Sequence, residues 1–97
     1  MWTGTLELDL LLGDVHSLKG KRSVVRPLVA EIRRRHEVAV AEVDSLDLRR
    51  RAGIGVAAVS ADHAHVVELL DAVENLVAGR PEVELLSARR TLRSSDD

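Results

Sequence analysis

From residue 3 the chain alternates: Leu6, Leu8, Leu10 and Leu12 fall on one side, and Thr3, Thr5, Glu7, Asp9 and Leu11 on the other. A period of two marks a half-buried strand, and Gly13-Asp14 breaks it. The period then lengthens. Leu18, Val25, Leu28, Val29 and Ile32 share one stripe at helical spacing over residues 18–36. Ser17 stands at the N-cap, where its hydroxyl can accept a bond from an orphan backbone N–H. Pro27 falls inside this helix, which removes one backbone hydrogen bond and predicts a kink. A start at Ser23 would bring Pro27 close to the first turn, but it would leave Leu18 outside the stripe, so the start at Ser17 is preferred.

Val38 to Val43 alternates weakly and reads as a second strand, followed by a turn over Asp44 to Asp47. Ala52 to Ser60 reads as a third strand, paired with the second as a hairpin. Asp62 then caps a second helix with the stripe Val66, Leu69, Leu70, Val73, Leu76 and Val77, ended by Gly79 and Pro81. Val83 to Leu92 closes as a fourth strand. Residues 1–93 read as one domain and 94–97 as a polar tail expected to fray.

The element order is βαββαβ. Two helices with one apolar stripe each must cover one face of a four-stranded sheet, a ferredoxin-like α/β two-layer sandwich. Right-handed crossovers predict an antiparallel sheet of order 4-1-3-2. The other face would carry Thr3, Thr5, Glu7 and Asp9 beside Gly53, Gly55 and Ala57, and would be open to a partner.

Composition narrows the functions this fold can serve. The 97 residues are 45% apolar and 31% charged, the balance of a folded domain with a core of Val, Leu, Ile and Ala. There is no Cys, which excludes disulfides, thiolate metal sites and cysteine nucleophiles. The apolar N-terminal run is interrupted by Glu7 and Asp9 and has no basic residue before it, so it does not read as a signal peptide. No run approaches the roughly 20 apolar residues of a membrane span. A cytoplasmic protein with no membrane partner is expected.

The net charge of −2 conceals segregation by segment. Residues 17–36 carry Lys19, Lys21, Arg22, Arg26, Arg33, Arg34 and Arg35 against Glu31 alone, while residues 37–48 carry Glu37, Glu42, Asp44 and Asp47 with no basic residue. Local fields of opposite sign, rather than the net charge, decide what approaches each surface. Lys19, Lys21, Arg22, Arg26 and Arg33 are the candidate nucleic-acid contacts. On a helix Lys19, Arg22, Arg26 and Arg33 project within about one quadrant, a row that can follow a phosphate backbone. The competing reading is a solvated face whose long stems cover the rim of the core. Arg49-Arg50-Arg51 and the arginines at 89, 90 and 93 read as edge protection and solubility.

Other constellations carry less. RNA-recognition domains of this topology stack bases on aromatics of the central strands, and Trp2 is the one aromatic in the chain. A GxxG clamp is missing, since Gly53-Ile54-Gly55 has the wrong spacing. Phosphate and shape recognition remain. Glu7 with Asp9, and Glu42 with Asp44, are carboxylates two apart on strands, expected on the open face. The third strand would hold the two pairs roughly 10 Å apart, too far for one ion to bridge. His63 and His65 are two apart on a helix and do not face each other. No nucleophile elbow or Walker loop is present, and no catalytic residue, metal site or cofactor is expected.

Ser17-Leu18-Lys19, Lys21-Arg22 and Glu42-Val43-Asp44, with the apolar strand after them, carry a likeness that spans residues 2–93. In these the chain resembles the YlxP-like family of small bacterial proteins, whose function is not established. The resemblance implies the ferredoxin-like fold, genes among those for translation initiation and ribosome maturation, and no catalytic residues. Where this chain has Gly20, the family often has a Glu that would complete a capping box with the serine. Two readings remain: an RNA- or ribosome-associated protein acting through its first helix, or a homo-oligomeric module using the open sheet face or an edge strand. An enzyme is the least supported.

Overall fold

A computed structural model of the chain describes residues 1–96; Asp97, the end of the expected polar tail, lies outside them. The elements are β1 (Trp2–Leu12), α1 (Leu18–Arg35), β2 (Ala39–Asp44), β3 (Arg51–Ser60), α2 (His63–Ala78) and β4 (Val83–Ser94). The sheet runs β2-β3-β1-β4 with every neighbouring pair antiparallel, which is the expected ferredoxin-like arrangement.

Local chemistry sets the helix starts. The Ser17 hydroxyl accepts from the Gly20 N–H at 3.0 Å, and an Asp62 carboxylate oxygen accepts from the Ala64 N–H at 3.0 Å. Both caps stand where the side-chain pattern put them. α1 continues through Pro27 without a break, with Pro27 exposed.

The core lies between the sheet and the two helices. Leu6, Leu8, Leu10 and Leu12 of β1 are fully buried against Val25, Leu28 and Ile32 of α1 and Val66, Leu70, Val73 and Val77 of α2. Each such side chain contributes about 1.5–3 kcal/mol by leaving water. Ile54, Val56 and Ala58 of β3 complete the layer.

Two expectations change. Leu18, assigned to the apolar stripe, is 40% exposed, while Lys21 is 3% exposed and takes the first place on the buried side. The buried positions of α1 are Lys21, Val25, Leu28 and Ile32, a helical repeat of four, three and four residues. At the other end, β4 extends beyond Leu92: Arg93 pairs with Thr3 and Ser94 with Trp2. The Ser95 N–H adds a bond to the Met1 carbonyl at 2.8 Å, so the polar segment begins as part of the sheet.

Candidate nucleic-acid interface

α1 carries its cations on two sides, and the sides differ in how the charge is satisfied. Lys19, Arg22 and Arg26 are exposed and rise along about 10 Å of the helix axis. Among the described residues, none of the three makes an ion pair or a hydrogen bond through its charged group. Arg33 shares their quadrant, but its Nη2 donates to the Val40 carbonyl of β2 at 2.9 Å, which ties it to the sheet edge. Arg34 is also exposed and without such a partner.

Lys21 points the opposite way. Its ammonium lies 2.8 Å from Glu42 Oε2, donates to the Ser45 carbonyl at 2.7 Å and reaches the Leu46 carbonyl at 3.4 Å. Of the five predicted contacts, Lys21 therefore stands apart from the row, with no free charge to offer a phosphate. A buried ammonium is tolerated only when it is matched inside the protein, and here two carbonyls take its donors while the Glu42 carboxylate stands beside it as counter-charge.

A β-bulge builds this inner site. Glu42 stands opposite Ile54 and Asp44 opposite Gly53, so Val43 is an extra residue in β2. Glu42 keeps the phase of Val40 and faces the helices, while Val43 and Asp44 both lie over β3 on the open face. Glu42 and Asp44 thus part company, where the sequence pattern put them together on one face. The crowding is direct. A Cβ at Gly53 would stand 2.6 Å from the Asp44 Cβ, and one at Gly55 would stand 2.9 Å from a Val43 methyl. These glycines leave room for the bulged strand. Beyond it, Ser45 adopts φ 59°, in the left-handed region, and its N–H bonds the Asp44 carboxylate at 2.8 Å. That turn aims the Ser45 carbonyl at Lys21.

The remaining basic residues are mostly engaged. Arg51 pairs with Asp9, Arg89 with Glu7 at 2.8 Å, and Arg80 with Glu31. Arg90 bridges Asp71 and Glu74 of α2. Arg50 donates to the Leu12 and Gly13 carbonyls at 3.1 and 3.0 Å, and Arg49 reaches the His16 carbonyl at 3.4 Å. Of the residues read as edge protection, Arg49, Arg50, Arg51, Arg89 and Arg90 therefore also link elements, and Arg93 does not. Among the described residues Lys19, Arg22, Arg26, Arg34 and Arg93 keep unpartnered charges, four of the five on α1.

On the open face, both carboxylates of the Glu7 and Asp9 pair are held by arginines, Arg89 and Arg51. Toward β2 the same face turns apolar, with Ala39, Ala41, Val43, Ala57 and Val59 exposed. The residues missed by sequence reasoning are the loop carbonyls of Ser45 and Leu46, which have no side-chain signature. Lys21 had one: it sits four residues before Val25, in phase with Leu28 and Ile32.

The chain matches the model of a family described as "Protein of unknown function (DUF503)" over residues 3–90. It is 28% identical over 81 residues to "Uncharacterized protein YlxP" of Bacillus subtilis (strain 168), covering 84% of this chain and 88% of that one.

Proposed function

The chain belongs to the DUF503 family, of unknown function, and from its surface we propose a cytoplasmic, non-enzymatic protein that contacts RNA phosphates, in free RNA or a ribosomal particle, through α1. The observation that carries this is the distribution of unpartnered charge. In a chain of net charge −2, nearly every cation outside α1 is engaged by a carboxylate or a carbonyl, whereas Lys19, Arg22 and Arg26 stand free in a row. An arginine without an internal partner keeps its planar donor fork for an external anion. The absence of aromatics near this row favours backbone contact over base stacking. The genomic company that the YlxP-like resemblance implies points to the same class of partner.

The test is sedimentation of tagged protein in cell lysate at low and high salt. Wild type should travel with RNA-containing particles at low salt and leave them as salt rises, because binding releases condensed counterions. A folded variant with Lys19, Arg22 and Arg26 all changed to Glu should stay at the top of the gradient. With purified RNA, three phosphate contacts give a log–log salt slope of about −2 to −3. Wild type remaining at the top at low salt, or a slope near zero, would overturn the reading.

A further inference from the structure

The two edges of the sheet are defended unequally. The β2 edge is six residues long, is interrupted by the Val43 bulge, and has its Val40 carbonyl occupied by Arg33. Short length, a bulge and a covering side chain are the means by which proteins prevent edge pairing. The β4 edge is twice as long, twelve residues, and contains no proline; its one bulge, at Leu86, leaves an unbroken run from Ser87 to Ser94. Among the described residues no side chain bonds a backbone group of Val83–Leu92, and the strand's outer side has no neighbour in the sheet.

We propose that β4 is a self-association edge, pairing antiparallel with β4 of a second copy of this chain to give a continuous eight-stranded sheet. The occupant is argued from the strand's own complementarity. Glu84, Ser87, Arg89, Thr91 and Arg93 stand opposite the open-face residues of β1, whereas Leu85, Ala88, Arg90 and Leu92 stand opposite its helix-side residues; Leu86 is the bulged residue between them. A two-fold axis at Arg89, with Leu86 bulged in both copies, keeps these faces matched across the new pair. Glu84 of one protomer then falls opposite Arg93 of its partner, and Leu85 opposite Leu92, each contact occurring twice. Leu85 and Leu92 are half-buried at the rim of the core, and among the described residues Arg93 has no ion pair, so each gains a partner it lacks there. The two Arg89 side chains meet at the axis, each already neutralised by its own Glu7 at 2.8 Å.

Sedimentation equilibrium of the purified full chain, without RNA, reads this directly. The wild type should show twice the chain mass, with reversible dissociation on dilution. Glu84→Arg or Arg93→Glu alone should weaken association by about tenfold, through loss of both symmetric pairs and their replacement by repulsion. The double variant, Glu84→Arg with Arg93→Glu, should restore it. A wild type that stays monomeric at every concentration overturns the proposal. So does a dimer indifferent to both single reversals, or one that the double exchange fails to rescue. Both positions are exposed, and circular dichroism checks that each variant is folded.

Discussion

The inner and outer sides of α1 use the same residue types for opposite ends. On the inner side one ammonium, that of Lys21, meets a carboxylate and two carbonyls and is withdrawn from solvent. On the outer side three cations sit in a row and meet no partner among the described residues. Burial made the difference: a charge taken out of water must be matched inside the protein, whereas an exposed one is matched by water until a ligand arrives. The count of basic residues on an element is therefore a poor guide to its binding capacity. The count of unpartnered ones is a better guide.

The comparison can be broken most forcefully at Lys21. Lys21→Met removes the internal cation but keeps the stem, leaving Glu42 without its partner and two carbonyls unsatisfied. Glu42 is 22% exposed and so keeps some contact with water, and the expected loss is about 2–3 kcal/mol, below the cost for a wholly buried pair. Urea denaturation measures it. The double variant Lys21→Met/Glu42→Leu should recover part of that loss, since the pair is then replaced by apolar contact. Gly53→Ala comes next, because its Cβ would meet Asp44 and shift the bulge that follows Glu42, at about 1–3 kcal/mol. Ser17→Ala removes the cap shared by both sides of α1 and should cost about 1 kcal/mol.

Gly20→Ala should act in the opposite direction. A Cβ there finds only ordinary contacts, with the Ser17 hydroxyl at 3.4 Å and a Val15 methyl at 3.5 Å, so helix propensity should add about 0.5–1 kcal/mol. The smallest stability effect belongs to the outer row. Changing Lys19, Arg22 and Arg26 together to Gln should move the denaturation midpoint by less than about 0.5 kcal/mol in equivalent free energy while abolishing RNA binding. A large stability loss in that variant would mean the outer cations serve the fold after all.

Architecture was largely legible because it is written in periodicity. The alternation of Leu6 to Leu12, the stripe from Val66 to Val77 and the caps at Ser17 and Asp62 depend on local spacing, and the strand order followed from crossover handedness. The inner site was not legible to the same degree. An isolated lysine in a basic run reads as solvated, and only its phase with Val25, Leu28 and Ile32 marks it as buried. The bulge at Val43 is a departure from alternation within a six-residue strand, too short for a break in period to stand out. The partners of Lys21 include two main-chain carbonyls, which any residue type could supply. The fastening role of Arg49, Arg50 and Arg51 is equally non-local, since their acceptors lie 33 to 42 residues away in the chain.

The Val43 bulge has a consequence best put in terms of reading frames. Alternation in a strand is a two-letter frame, inward and outward, and one inserted residue shifts it. Upstream of the bulge, β2 is read with Val40 and Glu42 inward; downstream, Asp44 is read outward although it shares their parity. Strict alternation through Val43 would turn Asp44 toward the helices, whereas deleting Val43 would leave Glu42 inward and Asp44 outward in one unbroken frame, opposite Ile54 and Gly53 as they now stand. The bulge is thus a frameshift in space: it resets the face of Asp44 while leaving Glu42 where alternation from Val40 puts it.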